Sequence, residues 1–166
     1  MQRHDSEAQV LFERALGILE KSPPSHQPNV ASVLSNLGCL TFRQGDHIHA
    51  LVYMIRSIAV YERSLGTNHP ELVSPLLNLG RIHLALNRSA LAEEPLQRAA
   101  AIAASALGAE HPILGEVLST YAVVLRKNGK KTEGRQMEAR AKGIRTVNPV
   151  RVENATIHVA DLLRQQ

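Results

Sequence analysis

Eight histidines and one cysteine are the side chains best able to do chemistry in this chain of 166 residues. A zinc-like site needs a compact set of His, Cys or acidic ligands. His47 and His49 stand two apart, and residues so spaced on a helix do not share a face. His69 and His111 occur in the same local sequence, so each belongs to its own segment. Neither a metal nor a cofactor is expected. Cys39 is the only cysteine, which excludes an intrachain disulfide. No orienting third group accompanies it to make a nucleophilic pair with a histidine, and it reads as a small buried apolar side chain. Gly129-Lys130-Lys131-Thr132 resembles the end of a phosphate loop. The first glycine of that motif is replaced by Val124, no strand precedes it, and the segment reads as a turn. No enzyme is expected.

Charge offers a second kind of chemistry. The net charge is +4, but Arg126 to Arg151 carries nine basic and two acidic residues, so that segment is +7 and the remainder −3. Lys131, Arg135 and Lys142 could share a helical face for phosphates. Single-strand binding usually adds stacking aromatics, and only Tyr121 lies nearby, so a solvated face is favoured over nucleic acid. The start, Met1-Gln2-Arg3-His4-Asp5, has no apolar leader. The most apolar stretch, from Leu96 to Leu107, is too short for a membrane span. A cytoplasmic protein without membrane contact is expected.

The elements that position these residues are set by a repeat. Pro28, Pro70 and Pro112 are 42 residues apart, as are Leu34, Leu76 and Leu118, and Asn36-Leu37-Gly38 returns as Asn78-Leu79-Gly80. A fixed period of this size marks stacked units that bury their apolar faces against neighbours. Hydrophobic content is 44% with only 3% aromatic residues, so Ala and Leu do the packing. In the unit beginning at Pro28, the series Val30, Val33, Leu34, Leu37, Leu40 and Thr41 follows helical spacing. So does Ile48, Leu51, Val52, Ile55, Ile58, Ala59 and Leu65. The spacing predicts helices over about 29–44, 47–65, 71–86, 89–107, 113–128 and 131–146. Their short turns make neighbours antiparallel. Gly38 and Gly80, inside helices, predict close approach of a neighbour, because mid-helix glycine costs about 1 kcal/mol against Ala. Pro75 should delay or bend its helix, and Pro95 should kink the next one near Leu91.

The fold class expected is all-α, a right-handed α-solenoid of antiparallel helix pairs in a single domain. It divides into a partial unit at 5–21 (second helix only), units at 28–67, 70–109 and 112–147, and a capping helix at 150–166.

These residues resemble the tetratricopeptide repeat. Leu34, Leu37, Gly38, Ala50, Met54 and Ser57 occupy its signature positions in one unit, and Leu76, Leu79, Gly80, Ala92, Leu96 and Ala99 in the next. The period, the Gly66-Thr67-Asn68-His69-Pro70 and Gly108-Ala109-Glu110-His111-Pro112 linkers and Glu94-Pro95-Leu96 resemble the long-repeat subclass found in kinesin light chains and bacterial repeat proteins. The resemblance implies a non-catalytic scaffold or adaptor holding a peptide or protein segment in a concave groove built from the first helix of each pair. The groove residues it implies are Ser35, Asn36, Cys39, Phe42 and Arg43; Leu77, Asn78, Arg81 and Leu84; and Ser119, Thr120, Val123, Arg126 and Lys127. Asn36 and Asn78 would either bond the peptide backbone or fix helix packing. Apolar and cationic side chains together suit an acidic peptide with apolar anchors. The alternative is self-association as a homodimer through the unpaired N-terminal helix.

Overall fold

The computed structural model describes residues 2–21, 23 and 26–147, and all regular structure among them is helical. α1 spans Gln2–Leu19, α2 Gln27–Arg43, α3 His47–Leu65, α4 Val73–Ala85, α5 Ser89–Ile102, α6 Pro112–Lys127 and α7 Lys131–Val147. The tightest pairs are α2 with α3, α4 with α5, and α6 with α7. Successive pairs stack through α3 on α4 and α5 on α6, and α1 meets α2 in the same way. The result is an all-α solenoid with one continuous core running from Leu16 to Ile144. The helix expected at 150–166 lies outside the described residues. No described helix is long and apolar enough to cross a membrane.

Local chemistry sets the helix ends. In the His-Pro linkers, the ring Nδ1 of His69 accepts from the Glu71 N–H and that of His111 from the Ile113 N–H, both at 3.3 Å. Pro70 and Pro112 follow at the first helical position, where a missing N–H loses no bond. The repeated histidines are therefore helix caps. Asp46 caps α3 by accepting from the His49 N–H at 3.0 Å. The turn within each pair needs one left-handed residue, supplied by Gly45, Asn87 and Gly129 at the same register.

The prolines act differently from one another. A 3-10 turn over Pro70–Leu72 precedes α4, which begins late at Val73 with Pro75 in its first turn. α5 continues through the buried Pro95. Its geometry changes further on, in a π-helical turn over Ala103–Leu107 that the periodicity did not signal.

Packing explains the small residues. A Cβ on Gly38 would meet the tip of Met54 at 3.0 Å, and one on Gly80 would meet Leu96 Cγ at 2.5 Å. Ala50 and Ala92 are fully buried. One sequence expectation is corrected. Ile48, Val52 and Ile55 belong to the apolar series read in α3, yet each is more than half exposed. The buried residues of α3 are Ala50, Met54, Ser57, Ile58, Val60 and Tyr61. Two stripes with helical spacing run along this helix, and only one faces neighbours.

The stacking contacts also repeat. Arg56 pairs with Glu20, and Arg98 with Glu62 at 2.7 Å, one period further on. Gln44 donates to Gln9 at 3.2 Å, and its counterpart Asn128 donates to Glu93 at 2.9 Å.

Candidate functional site

The first helices of the three pairs, α2, α4 and α6, share one face, and the fourteen expected groove residues separate there into a rim and a floor. Arg43, Arg126 and Lys127 are exposed, and Ser35, Asn36, Ser119 and Val123 are half-buried. Cys39, Phe42, Leu77, Asn78, Arg81, Leu84 and Thr120 are buried. The reason is clearest at α4. It lies between α2 and α6 as well as against its own partner α5, so its inward residues are covered from both sides. Phe42 stacks on His47, with ring centroids 4.8 Å apart. The Asn78 amide donates to Cys39 Sγ at 3.2 Å, tying α4 to α2. Thr120 donates to the Glu116 carbonyl at 3.1 Å, within its own helix.

Arg81 sits at the centre of this floor with 2% of its surface exposed. Its Nη2 lies 3.7 Å from Glu116 Oε2, close enough for charge attraction but too far for a hydrogen bond. Its Nε and Nη1, Glu116 Oε2 and Ser119 Oγ are all buried without a hydrogen-bond partner. Burial pulls the Arg81 guanidinium down to about 10, with the Glu116 charge opposing. Buried polar groups are normally satisfied, so this cluster of orphaned donors and acceptors is the anomaly of the inner face. The periodicity places Glu116 on the same face, at the register of Ser32 and Ser74, but its proximity to Arg81 emerges only when α4 and α6 pack.

Burial pushes the Cys39 thiol up from 9.0 to about 11, against the opposing charges of Arg43 and Arg81. It is therefore a thiol at neutral pH, and the thiolate is the nucleophilic form. His83 is half-buried and held below its ordinary range by burial and by the Arg88 charge, so it is neutral at pH 7. Among the described residues no group of three or more His, Cys, Asp or Glu side chains gathers to hold a metal. Part of the C-terminal basic charge is engaged internally. Arg126 and Arg145 each lie 3.7 Å from Glu138, and Lys130 pairs with Glu93.

The Cys39 environment carries a pH prediction. Its folded pKa lies above its ordinary value, so its contribution to stability is whole below about pH 9 and is lost as pH rises towards 11. That loss amounts to about 2–3 kcal/mol. Urea titrations from pH 8 to about 11 should show the stability difference between the parent and Cys39→Ala shrinking by that amount. A pH-independent difference would show that the thiol ionises as freely in the fold as outside it.

Comparison with known proteins follows the same lines. Residues 29–105 match the family model of the tetratricopeptide repeat. No curated protein is a significant match. Among solved structures, BtubC (BKLC) from P. vanneervenii superposes with a TM-score of 0.77 at 20% identity, covering 91% of this chain and 60% of that one. This chain thus spans about three fifths of that protein. A Podosopora anserina kinesin light chain structure with nearly identical tetratricopeptide-like repeats gives 0.68 at 22% identity, over 90% and 71% of the two chains. A single-substitution variant of it gives 0.70 at 22%, over 89% and 70%. At these identities the likeness establishes a shared fold.

Proposed function

From the tetratricopeptide-repeat fold of this chain, whose repeats generally mediate protein–protein interaction, we propose a non-catalytic scaffold that holds an acidic peptide segment across α2, α4 and α6. The observation that carries this reading is Arg81, a buried cation with two nitrogens lacking hydrogen-bond partners. A carboxylate is the ligand that matches a guanidinium bidentately. Glu116, 23% exposed and 3.7 Å away, stands where such a carboxylate would approach and acts as its internal substitute. The partner's acidic side chain displaces Glu116 and takes the orphaned nitrogens. Arg43 and Lys127, at equivalent positions on α2 and α6, flank the path with exposed positive charge. Val123 and the stems of the longer side chains give an apolar anchor somewhere to rest.

Anisotropy titrations against an array of labelled acidic peptides test this. Arg81→Met should weaken the best binder by more than about tenfold, equivalent to the ~1.4 kcal/mol of a single lost charged contact. Glu116→Gln should bind as tightly or more tightly, because a competing negative charge is gone. Affinity should fall as salt rises. Indifference to both substitutions would sink the reading of Arg81 as the anchor.

A further inference from the structure

We propose that α1 presents a vacant helix-pairing face and that a second copy of this chain fills it, α1 against α1 in antiparallel orientation. The repeat itself identifies the face. Ile18 is 68% exposed, whereas its counterparts one, two and three periods on, Val60, Ile102 and Ile144, are 5%, 4% and 2% exposed. Phe12 is half-buried, while its counterparts Met54 and Leu96 have no exposed surface. Ala8, Ala15 and Leu19 follow the same rule, since Ala50, Ser57 and Tyr61 are buried. Leu11 is 63% exposed, whereas of its three counterparts Pro95 is buried and Tyr53 and Met137 are half-buried.

What covers these positions in the complete units is the first helix of the same pair. Met54 and Leu96 lie against Gly38 and Gly80, and Ile144 lies against Gly115 of α6 at the distance of ordinary contact. α1 meets α2 as α3 meets α4, which uses its other side, where Leu16 is 9% exposed. No described helix takes the place on α1 that α2 takes on α3. The face is therefore a core surface by composition and register, left open within the described fold.

Self-complementarity selects the occupant. Ala8, Leu11, Ala15 and Ile18 alternate in steps of three and four, the spacing of a helix-pair seam. Small and large residues alternate along it. Antiparallel pairing sets Ala8 against the second copy's Ile18 and Leu11 against its Ala15, so each large side chain meets a small one. The same arrangement brings Glu7 of one copy to the end occupied by Lys21 of the other. Parallel pairing would instead stack Leu11 on Leu11 and Ala15 on Ala15, and would place like charges together. Among the described residues, the last helix, α7, does not offer an equivalent partner. On α7 the position matching Leu16 and Ile58 is the exposed Lys142, so head-to-tail stacking would bury a charge. The Ala8–Ile18 seam is only about 15 Å long, so the dimer is concentration-dependent and not obligate.

Sedimentation of the full chain from about 1 µM to about 1 mM tests this. A monomer–dimer equilibrium is expected. Leu11→Glu/Ile18→Glu should raise its dissociation constant by more than about tenfold. Both residues are exposed in the single chain, so the far-ultraviolet circular dichroism should be unchanged. Val52→Glu, on the exposed stripe of α3, should leave the equilibrium as it is. Spin labels on a cysteine introduced at Lys21 should sit more than about 20 Å apart along the pair axis in the antiparallel dimer. The buried Cys39 does not compete for the label. A monomer at every concentration overturns the proposal, and so does a dimer indifferent to the α1 substitutions. Assemblies larger than a dimer, or closely spaced labels, also overturn it. Each of these readouts is independent of peptide binding.

Discussion

Arg81→Met/Glu116→Gln should unfold about 1–4 kcal/mol later than the parent chain, although it removes the most prominent charge pair of the inner face. A buried ion pair repays its desolvation only with good geometry and satisfied remaining groups. Here the pair is 3.7 Å apart and two guanidinium nitrogens bond nothing. Methionine fills a similar volume and follows an irregular space. Glu116→Gln alone should be less stable than the parent by about 1–3 kcal/mol, because it leaves the guanidinium without its counter-charge. The two substitutions are thus strongly non-additive, and a double-mutant cycle by urea denaturation measures the coupling. Additive losses in all three variants would mean that Arg81 is a well-paired structural residue. That outcome would also remove the argument for a carboxylate ligand. The expected pattern is a site that is costly to the fold, as the ligand role proposed for Arg81 requires.

Gly80→Ala should cost about 1–3 kcal/mol, whereas Gly38→Ala at the same register of the preceding unit should be neutral to slightly stabilising. Both replacements gain helix propensity of about 1 kcal/mol. They differ in what the new methyl meets. At Gly38 it meets Met54 Cε at 3.0 Å, the end of a flexible side chain that can swing aside. At Gly80 it meets all three outer carbons of Leu96 between 2.5 and 2.9 Å. Leu96 is fully buried and cannot retreat without moving α5, so overpacking outweighs propensity. Valine at Gly80 should be worse still. Thermal melts of the two alanine variants are sufficient, with a clear drop for Gly80→Ala alone. Equal melting temperatures would indicate that α5 can slide along α4.

Much of the architecture was legible in the residues because it rests on local signals. The His-Pro linkers, the left-handed turn positions and the apolar 3–4 spacing placed six helices of the repeat units within a few residues of their observed ends. Gly38 and Gly80 announced close approach, and the atoms they face now account for it. Which residues α2, α4 and α6 set at one register was legible. Ser35, Asn36, Arg43, Ser119, Val123, Arg126 and Lys127 retain exposed surface. Periodicity did not separate them from Cys39, Leu77, Asn78, Arg81, Leu84 and Thr120 beneath, because those residues have the same spacing and differ only in their neighbours.

By itself the sequence determined where helices begin and end and which residues share a helical side, since both follow from bonds and contacts within a few turns of one chain. Tertiary packing decided which side is covered. It turned Ile48, Val52 and Ile55 outward and enclosed Arg81 between flanking helices. It also left Ile18 exposed while covering its three counterparts. Burial depends on what stands opposite a residue, and in a solenoid the residue opposite belongs to another helix, of the same repeat or of the next.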